Sequence, residues 1–333
     1  MLGKYFNLTK LLYNYKKLLW LHFLNNEIVV YILSDNYLYE IFLKIICENN
    51  AGGKMIRIFG DTTCGLTLDQ AKELGIEYIP QLVIFGEETY RDDTEIDSET
   101  FVRKLKESAN LPKTAAPPPS LYTPIYQDMV EKGDSGIVIC PSAQLSGTVR
   151  SALTALEDFP GLDVRVIDSK LIGSIQAELL RMAKQWADEG KSIDEIESLV
   201  NEKMSRAKVY AVVDTLEYLY KGGRIGGASK LLGDILQIKP ILTVINGRVE
   251  SFEKQRTKKK ALARMIELVE TECKDYKKGC FSFSTTADNP DIPFLESEFK
   301  SKFGAENIPS LNLPPAIMVH AGPSTIIVSF FTE

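Results

Sequence analysis

The apolar positions after residue 54 fall into short runs with the length of a buried strand. These runs cover residues 56–59, 78–85, 137–140 and 164–167, and stretches with helical spacing, such as 149–157 and 174–189, separate them. Two capping boxes, Thr67 with Gln70 and Ser192 with Glu195, mark helix starts. This alternation of strand and helix predicts a parallel sheet whose strands are joined by crossover helices.

The pattern changes near residue 206, where we place a domain boundary. Beyond it, strands are predicted over 209–213, 241–245, 248–253, 281–285 and 326–331, and helices over 216–221, 228–236, 258–272 and 293–303. The dipeptide Asn246-Gly247 favours a tight type I′ turn between two of these strands. The second half of the chain is therefore predicted to be an α/β domain with a mixed sheet.

Residues 1–54 differ in composition from the rest, being rich in Leu, Asn, Tyr, Ile, Lys and Phe and free of Pro. The apolar run over 28–47 could span a bilayer, but Asp35, Glu40 and Lys44 interrupt it. Each charge costs about 2.5–3.5 kcal/mol at the bilayer centre, which disfavours a transmembrane helix. We interpret 1–54 as a non-native extension from an upstream start, because residues 51–54 back-translate to a ribosome-binding site before Met55. A pair of amphipathic helices is the alternative.

The overall composition is that of an ordinary globular protein with room for two cores. Of the 333 residues, 44% are hydrophobic and 25% charged, with a net charge of -6. A protein with this negative net charge has no broad positive potential to attract a nucleic acid, which makes nucleic acid an unexpected partner. The odd number of scattered cysteines indicates neither a disulfide framework nor a metal site and fits a reducing cytoplasm. They are Cys47, Cys64, Cys140, Cys273 and Cys280.

The residues also allow two other interpretations, a small-molecule hydrolase and a nucleotide-binding regulator. A serine hydrolase would have to pair Ser146 with His320, because His22 lies in the doubtful extension and no G-x-S-x-G elbow is present. The glycine cluster over 221–227 superficially resembles a phosphate-binding loop, which would suit a nucleotide-binding regulator. However, it follows a predicted helix and lacks a GK[ST] ending, so a tight joint between two helices is the other interpretation.

Three polar residues sit in predicted loops beside apolar strands: Thr114, Ser146 and His320. Taken singly, each is explained as a helix cap or a turn residue. Together they share the ability to hydrogen-bond a carboxyl group without supplying the fixed charge of Arg or Lys. A lipid headgroup beside an apolar tunnel would suit them.

A series of short motifs spans nearly all of residues 56–331. They are FGDTT at 59–63, GIEYIP at 75–80, ETYRD at 88–92, PKT at 112–114, QLSGT at 144–148, VIDSK at 166–170, DTLEYL at 214–219, GGRIG at 222–226, LLG at 231–233, IKPIL at 238–242 and RTKKKA at 256–261. In these motifs the chain resembles the DegV family of fatty-acid-binding proteins.

The resemblance implies a two-domain DegV-like fold. Residues 55–205 would form a parallel α/β/α N-terminal domain with the headgroup loops, and residues 206–333 a mixed-sheet α/β domain that completes a lipid tunnel. It also implies that Thr114 and Ser146 hold the carboxyl end of a long-chain fatty acid, with His320 beside it. On this reading the chain is a cytoplasmic carrier with no catalytic residue, cofactor or metal.

The partner implied by the resemblance is a separate ATP-dependent fatty acid kinase, which makes acyl phosphate for phospholipid synthesis. Arg256 would help dock that kinase, although a solvated helix start explains the same basic cluster. Transient contact with a membrane surface would allow lipid exchange. The sequence departs from the family at Ala115 and Ala116, where Ser-Gln is usual, and at Ala143, where a second serine is usual, so fewer hydroxyls are expected at the headgroup.

Overall fold

The computed structural model describes residues 20–24, 27–31, 54–233, 238–275, 278–304 and 310–332. The chain divides into two compact units, residues 1–54 and 55–333. In the first, strands β1 (Trp20–Leu24) and β2 (Glu27–Tyr31) pair antiparallel. The alternative of two helices is therefore wrong for these residues. Residues 32–53, with most of the apolar run and three of the four back-translated residues, lie outside the described residues.

The second unit alternates strands and helices. Its strands are β3 (Ile56–Asp61), β4 (Glu77–Ile79), β5 (Leu82–Phe85), β6 (Glu88–Arg91), β7 (Lys113–Ala115), β8 (Ser135–Cys140), β9 (Val164–Asp168), β10 (Ala207–Val212), β11 (Lys239–Ile245), β12 (Arg248–Gln255), β13 (Ser282–Thr285), β14 (Ser310–Asn312) and β15 (Ile326–Phe331). Its α-helices are α1 (Leu68–Glu73), α2 (Ser98–Glu107), α3 (Thr123–Lys132), α4 (Thr148–Leu156), α5 (Ser174–Asp188), α6 (Ile193–Ser205), α7 (Glu217–Lys221), α8 (Lys258–Glu272), α9 (Ile292–Phe303) and α10 (Pro315–Ala321). Short 3₁₀ helices cover Thr62–Cys64, Pro119–Leu121 and Gly226–Leu231. Among the described residues, no helix is long and apolar enough to cross a membrane.

The parallel sheet predicted from the first half has the strand order β4-β3-β8-β9. Its two faces are covered by different helices, because side chains alternate along a strand. Ile58 packs in the core beneath α5, whereas the neighbouring Phe59 packs with Tyr122 and Tyr126 on the opposite face. The two predicted capping boxes are present at α1 and α6. The α/β/α layering is thereby confirmed.

The sequence predicted that the run over 78–85 forms one strand of that sheet, and this prediction is wrong. It splits at Pro80 and Gln81 into β4, in the parallel sheet, and β5, in a separate antiparallel sheet of order β6-β5-β7. Pro80 has no N–H for a ladder. The Gln81 N–H donates instead to Thr62 Oγ1 at 3.0 Å and Asp92 Oδ1 at 2.9 Å, which turns the chain out of the first sheet.

The second half forms the predicted mixed sheet, with the order β12-β11-β10-β15-β13-β14. Its pairs are antiparallel except for β13 with β14. At the turn between β11 and β12, Asn246 and Gly247 have φ values of 50° and 78°, as a type I′ turn requires. The helix predicted over 228–236 is a 3₁₀ helix as far as Leu231, and residues 234–236 lie outside the described residues.

Helix α5 joins the two larger sheets into one compact unit. Its residues Ile175 and Leu179 share a buried apolar cluster with Ile58 of the parallel sheet and Ile327 of the mixed sheet. Each fully buried aliphatic side chain of this kind stabilises the fold by about 1.5–3 kcal/mol. The chain passes from one sheet to the other between the end of α6 and the start of β10 at Ala207.

Candidate functional site

A cavity of about 920 Å³, including its mouth, lies beyond the carboxyl ends of β3 and β8 and against one face of the mixed sheet. Most of its wall is apolar. That part includes Val209, Ala211, Leu242, Val244, Ile317 and Ile327.

The polar part of the wall contains all three residues singled out from the sequence, Thr114, Ser146 and His320. Their local settings differ from the prediction at two positions. Only Ser146 lies in a loop, just before α4, whereas Thr114 is in strand β7 and His320 is in the last turn of α10. Pro315 begins α10 at the first helical position, where a missing N–H costs nothing, and this places His320 on a helix.

A hydrogen bond joins Thr114 to His320. Thr114 Oγ1 lies 2.7 Å from His320 Nε2, and strand β7 is held in place for this contact by pairing with β5, where Thr114 faces Val83. The interaction closes a gap of 206 residues along the sequence. It brings a hydroxyl and an imidazole to the same point of the cavity wall.

His320 is a neutral group at physiological pH. Burial lowers its pKa to about 4, and the positive charge of Arg224 acts in the same direction. The buried Nδ1 has no hydrogen-bond partner among the described residues. Gly222 lies directly against it, and a Cβ at that position would overlap Nδ1. The imidazole is therefore held by packing on one side and by Thr114 on the other.

The glycines over 222–227 form a close joint between α7 and the next 3₁₀ helix. A Cβ on Gly226 would overlap the backbone of Val249, and one on Gly227 would overlap the Glu250 side chain. These contacts agree with the interpretation of the cluster as a tight joint between helices. Arg224 projects from this joint into the cavity wall.

Arg224 supplies the positive charge of the site, and sequence reasoning missed it. Its Nε donates to Leu145 O at 3.1 Å, and its Nη1 donates to Gly222 O at 2.8 Å. Both partners are uncharged carbonyls, and no carboxylate among the described residues forms an ion pair with it. A guanidinium group without an anionic partner in a cavity wall can attract an anionic ligand.

Ser146 belongs to a second polar group, which extends from the cavity wall into the protein interior. Its Oγ lies 2.8 Å from Thr148 Oγ1, which in turn lies 3.2 Å from Asp61 Oδ2. Gln81 Nε2 donates to the same Asp61 oxygen at 2.6 Å and to Thr148 Oγ1 at 2.9 Å. The structure thus gives Ser146 and His320 different partners, and the two do not form the nucleophile–base pair of a hydrolase.

Asp61 is a buried carboxyl group that sequence reasoning also missed. Burial raises its pKa to about 6, while hydrogen bonds from Thr63, Gln81 and Thr148 oppose that rise. Gln176 Nε2 donates to the other carboxyl oxygen at 3.3 Å. The available signal was position, because Asp61 ends the first parallel strand, where α/β sheets place polar functional groups.

The three positions that depart from the family pattern have different surroundings. Ala116 lies in the cavity wall, so its methyl group adds apolar surface near Ser146. Ala115 and Ala143 are not part of that wall, and the Ala143 N–H donates to Asp168 Oδ1 at 3.1 Å. Ser142 Oγ donates to Gly247 O at 2.7 Å and so braces the β11–β12 turn.

Arg256 lies outside the cavity wall, exposed just before α8. Two other members of its basic cluster are engaged in ion pairs. Lys258 pairs with Asp214 at 3.2 Å and Asp291 at 2.9 Å, and Arg264 pairs with Glu253 at 2.9 Å. Within the described residues, no cluster of His, Cys, Asp and Glu could hold a metal ion.

Comparison with known proteins gives consistent matches to one family. The family model described as "Uncharacterised protein, DegV family" matches residues 55–333. A DegV domain-containing protein of Halalkalibacterium halodurans is 33% identical over 281 residues, which cover 84% of this chain and 99% of that protein. Another, of Listeria innocua, is 34% identical over 273 residues, covering 81% and 96% of the two chains.

Solved structures show the same fold. The DegV family protein of Thermus thermophilus, described as fatty acid binding, superposes with a TM-score of 0.75 at 28% identity and covers 84% of this chain and 100% of its own. Bacillus subtilis DegV, described as a fatty acid binding protein, gives a TM-score of 0.75 at 27% identity with the same coverage. From residue 55 to residue 333, the chain belongs to the DegV family.

Proposed function

We propose that the protein binds one long-chain fatty acid in the cavity, with its carboxyl group at Thr114, Ser146 and His320. The observation that carries this proposal is that all three residues line one cavity whose wall is mostly apolar. The fatty-acid-binding relatives of Thermus thermophilus and Bacillus subtilis support the choice of ligand.

Burial of the acyl chain supplies most of the binding free energy. Each CH₂ group removed from water contributes about 0.8 kcal/mol, so a long chain against Val209, Leu242 and Ile327 gains several kcal/mol. The carboxyl group adds orientation, because a polar group buried without partners costs roughly 2–7 kcal/mol. Hydroxyls at Thr114 and Ser146 provide hydrogen-bond partners for it.

Arg224 balances the charge of a bound carboxylate. Its guanidinium is anchored to the backbone carbonyls of Leu145 and Gly222, and no carboxylate of the described residues compensates its charge. The neutral imidazole of His320 orients the Thr114 hydroxyl without adding charge. Among the described residues, the cavity wall combines one cation with neutral donors, which suits a single carboxylate.

We further infer that the protein acts as a cytoplasmic carrier, not as an enzyme, and presents the carboxyl group to a separate fatty acid kinase. The hydrogen bonds of Ser146 and His320 to different threonines argue against a nucleophile activated within this chain. Arg256 is exposed and away from the cavity, which suits a docking role. Transient contact with a membrane would let the lipid enter and leave.

The proposal is tested by mass spectrometry of an organic extract of the purified protein, with native mass recorded before and after extraction. We expect about one fatty acid per chain. A Ser146→Ala protein purified in parallel should retain less lipid, whereas Thr154→Ala, on the exposed face of α4, should retain as much as wild type. Protein that stays empty after incubation with mixed fatty acids would refute the carrier function.

A further inference from the structure

A chain of hydroxyl groups connects the cavity to the buried carboxyl group of Asp61. Ser146 Oγ, in the wall, lies 2.8 Å from Thr148 Oγ1, which lies 3.2 Å from Asp61 Oδ2. Asp61 is 1% exposed, and its hydrogen bonds come only from neutral groups of the described residues. Each hydroxyl both donates and accepts, so the chain can carry a proton between the cavity and Asp61.

The direction of these hydrogen bonds depends on the charge of Asp61. An ionised carboxyl group only accepts, so Thr148 donates to Asp61 and Ser146 donates to Thr148. Ser146 then offers one lone pair to the cavity, since it also accepts from the Thr148 N–H at 3.4 Å. If its proton turned away from Thr148, two oxygen atoms would face each other at 2.8 Å with no proton between them.

A carboxylate in the cavity needs a hydrogen-bond donor. Ser146 can donate to it only when the direction of the hydrogen bonds between Ser146, Thr148 and Asp61 is reversed. In the reversed chain a protonated Asp61 donates to Thr148, Thr148 donates to Ser146, and Ser146 donates to the lipid. When the hydrogen bonds keep their original direction, Ser146 instead accepts a hydrogen bond from a protonated lipid carboxyl group. Both complexes hold one proton more than the empty protein and the free carboxylate together.

We propose that Asp61 and the lipid carboxyl group share one proton through Ser146 and Thr148, so that binding of a fatty acid anion takes up a proton from solvent. The inference rests on the proposed function, because it needs the carboxyl group at Ser146. The transfer balances without redox chemistry. The lipid O–H proton passes to Ser146 Oγ, the Ser146 proton to Thr148 Oγ1 and the Thr148 proton to Asp61 Oδ2, which leaves a lipid carboxylate facing Arg224.

The other titratable groups around Asp61 constrain where this proton can reside. Burial raises the pKa of the thiols and phenols, so they stay neutral near pH 7; these are Cys64, Cys140, Tyr78 and Tyr122. Across the cavity His320 is neutral and Arg224 is positive. Asp92 is the other carboxyl group, with its pKa raised by burial to about 7, but it accepts from Gln81 N and lies outside the hydroxyl chain.

Proton uptake is measured by calorimetry, with dodecanoate titrated into delipidated full-length protein. The dodecanoate concentration is kept below the value at which micelles form. The titration is run at about pH 8 in buffers of different ionisation enthalpy, where Asp61 starts ionised. We expect uptake of about one proton per dodecanoate. Measurable binding with no uptake would overturn the shared proton alone, whereas absence of binding would overturn the proposed function.

Three variants locate the proton. Thr148→Val removes the middle hydroxyl and frees Ser146 to donate to the lipid, so uptake should fall to near zero while binding persists; unchanged uptake would overturn the proposal. Thr154→Val, the matched change on the exposed face of the same helix, should keep the wild-type uptake. Asp92→Asn should also keep it, and a loss there would assign the proton to Asp92. If Thr148→Val fails to fold, the number of protons that the wild-type protein takes up per dodecanoate decides whether the proton is shared.

Discussion

Thr114 Oγ1 and His320 Nε2 lie 2.7 Å apart, although 206 residues separate them in the sequence. The contact links the small antiparallel sheet to helix α10 at the wall of the cavity. The imidazole is neutral at physiological pH, because burial lowers the pKa of His320 to about 4. The hydrogen bond therefore joins two uncharged polar groups at the wall of the cavity.

Removal of either headgroup hydroxyl should weaken lipid binding without unfolding the protein. We expect Thr114→Ala and Ser146→Ala each to raise the dissociation constant for dodecanoate about 5- to 30-fold, since a hydrogen bond to a charged group contributes about 1.5–3 kcal/mol and water replaces part of it. The melting temperature of the delipidated protein should barely change. Thr154→Ala is the control, and equal affinity in all three variants would contradict the assignment.

The contribution of His320 to stability should depend on pH. Because its folded pKa of about 4 lies below the unfolded value, the unfolded state binds more protons between about pH 6.5 and 4. This contribution is fully present above pH 6.5 and is lost as the pH falls through that window, by up to about 3 kcal/mol. Asp61 and Asp92 titrate in the opposite sense, because their pKa values are raised.

The effect of His320 is therefore measured as the difference between wild type and His320→Gln. Chemical denaturation at several pH values should show this difference shrinking from pH 7 to pH 4. A difference that stays constant over the window would mean that His320 does not titrate with a lowered pKa.

Gly222 should be required for the position of His320. A Cβ at residue 222 would overlap Nδ1, so Gly222→Ala should displace the imidazole and reduce dodecanoate affinity. Overpacking of this kind also costs about 1–3 kcal/mol of stability. Gly233→Ala is the matched control, because a Cβ there meets no atom of the described residues within 4 Å. The two variants are compared by calorimetry and thermal unfolding, and equal behaviour would refute the role.

Helix α5 should couple the two larger sheets in unfolding. Leu180 is fully buried in the shared cluster, so Leu180→Ala should lower the free energy of unfolding by about 2–5 kcal/mol. Fluorescence and circular dichroism should report one coincident transition in denaturant. Two separate transitions in the wild-type protein would show that residues 55–205 and 206–333 unfold independently.

Arg256 should affect the kinase step and not lipid binding. We expect Arg256→Ala to bind dodecanoate as wild type does while lowering acyl phosphate formation by an added fatty acid kinase. Lys106→Ala, an exposed charge change on α2, should leave both unchanged. Equal turnover by wild type and Arg256→Ala would remove the docking role.

Much of the fold could be predicted from local patterns. The helix over Lys258–Glu272, the final strand Ile326–Phe331 and both capping boxes follow from periodicity and cap chemistry, which act over a few residues. The break in the run over 78–85 could not be predicted from local patterns, because it depends on hydrogen bonds from the Gln81 N–H to Thr62 and Asp92. Those partners are set by tertiary structure.

The candidate site was predicted only in part for the same reason. The family resemblance singled out Thr114, Ser146 and His320, and these line one cavity. Asp61 and Thr148 stand in the quoted motifs, but their role is visible only when two strand ends meet and bury a carboxyl group. Arg224 was assigned to a glycine joint because its cavity contact depends on the fold of the helix before it.

The central claim is tested most directly by a crystal structure of the protein with a bound fatty acid. We expect the acyl chain along Val209, Leu242 and Ile327, with the carboxyl group within hydrogen-bond distance of Thr114 Oγ1 and Ser146 Oγ and close to Arg224. A carboxyl group bound elsewhere, or an acyl chain outside this cavity, would contradict the account.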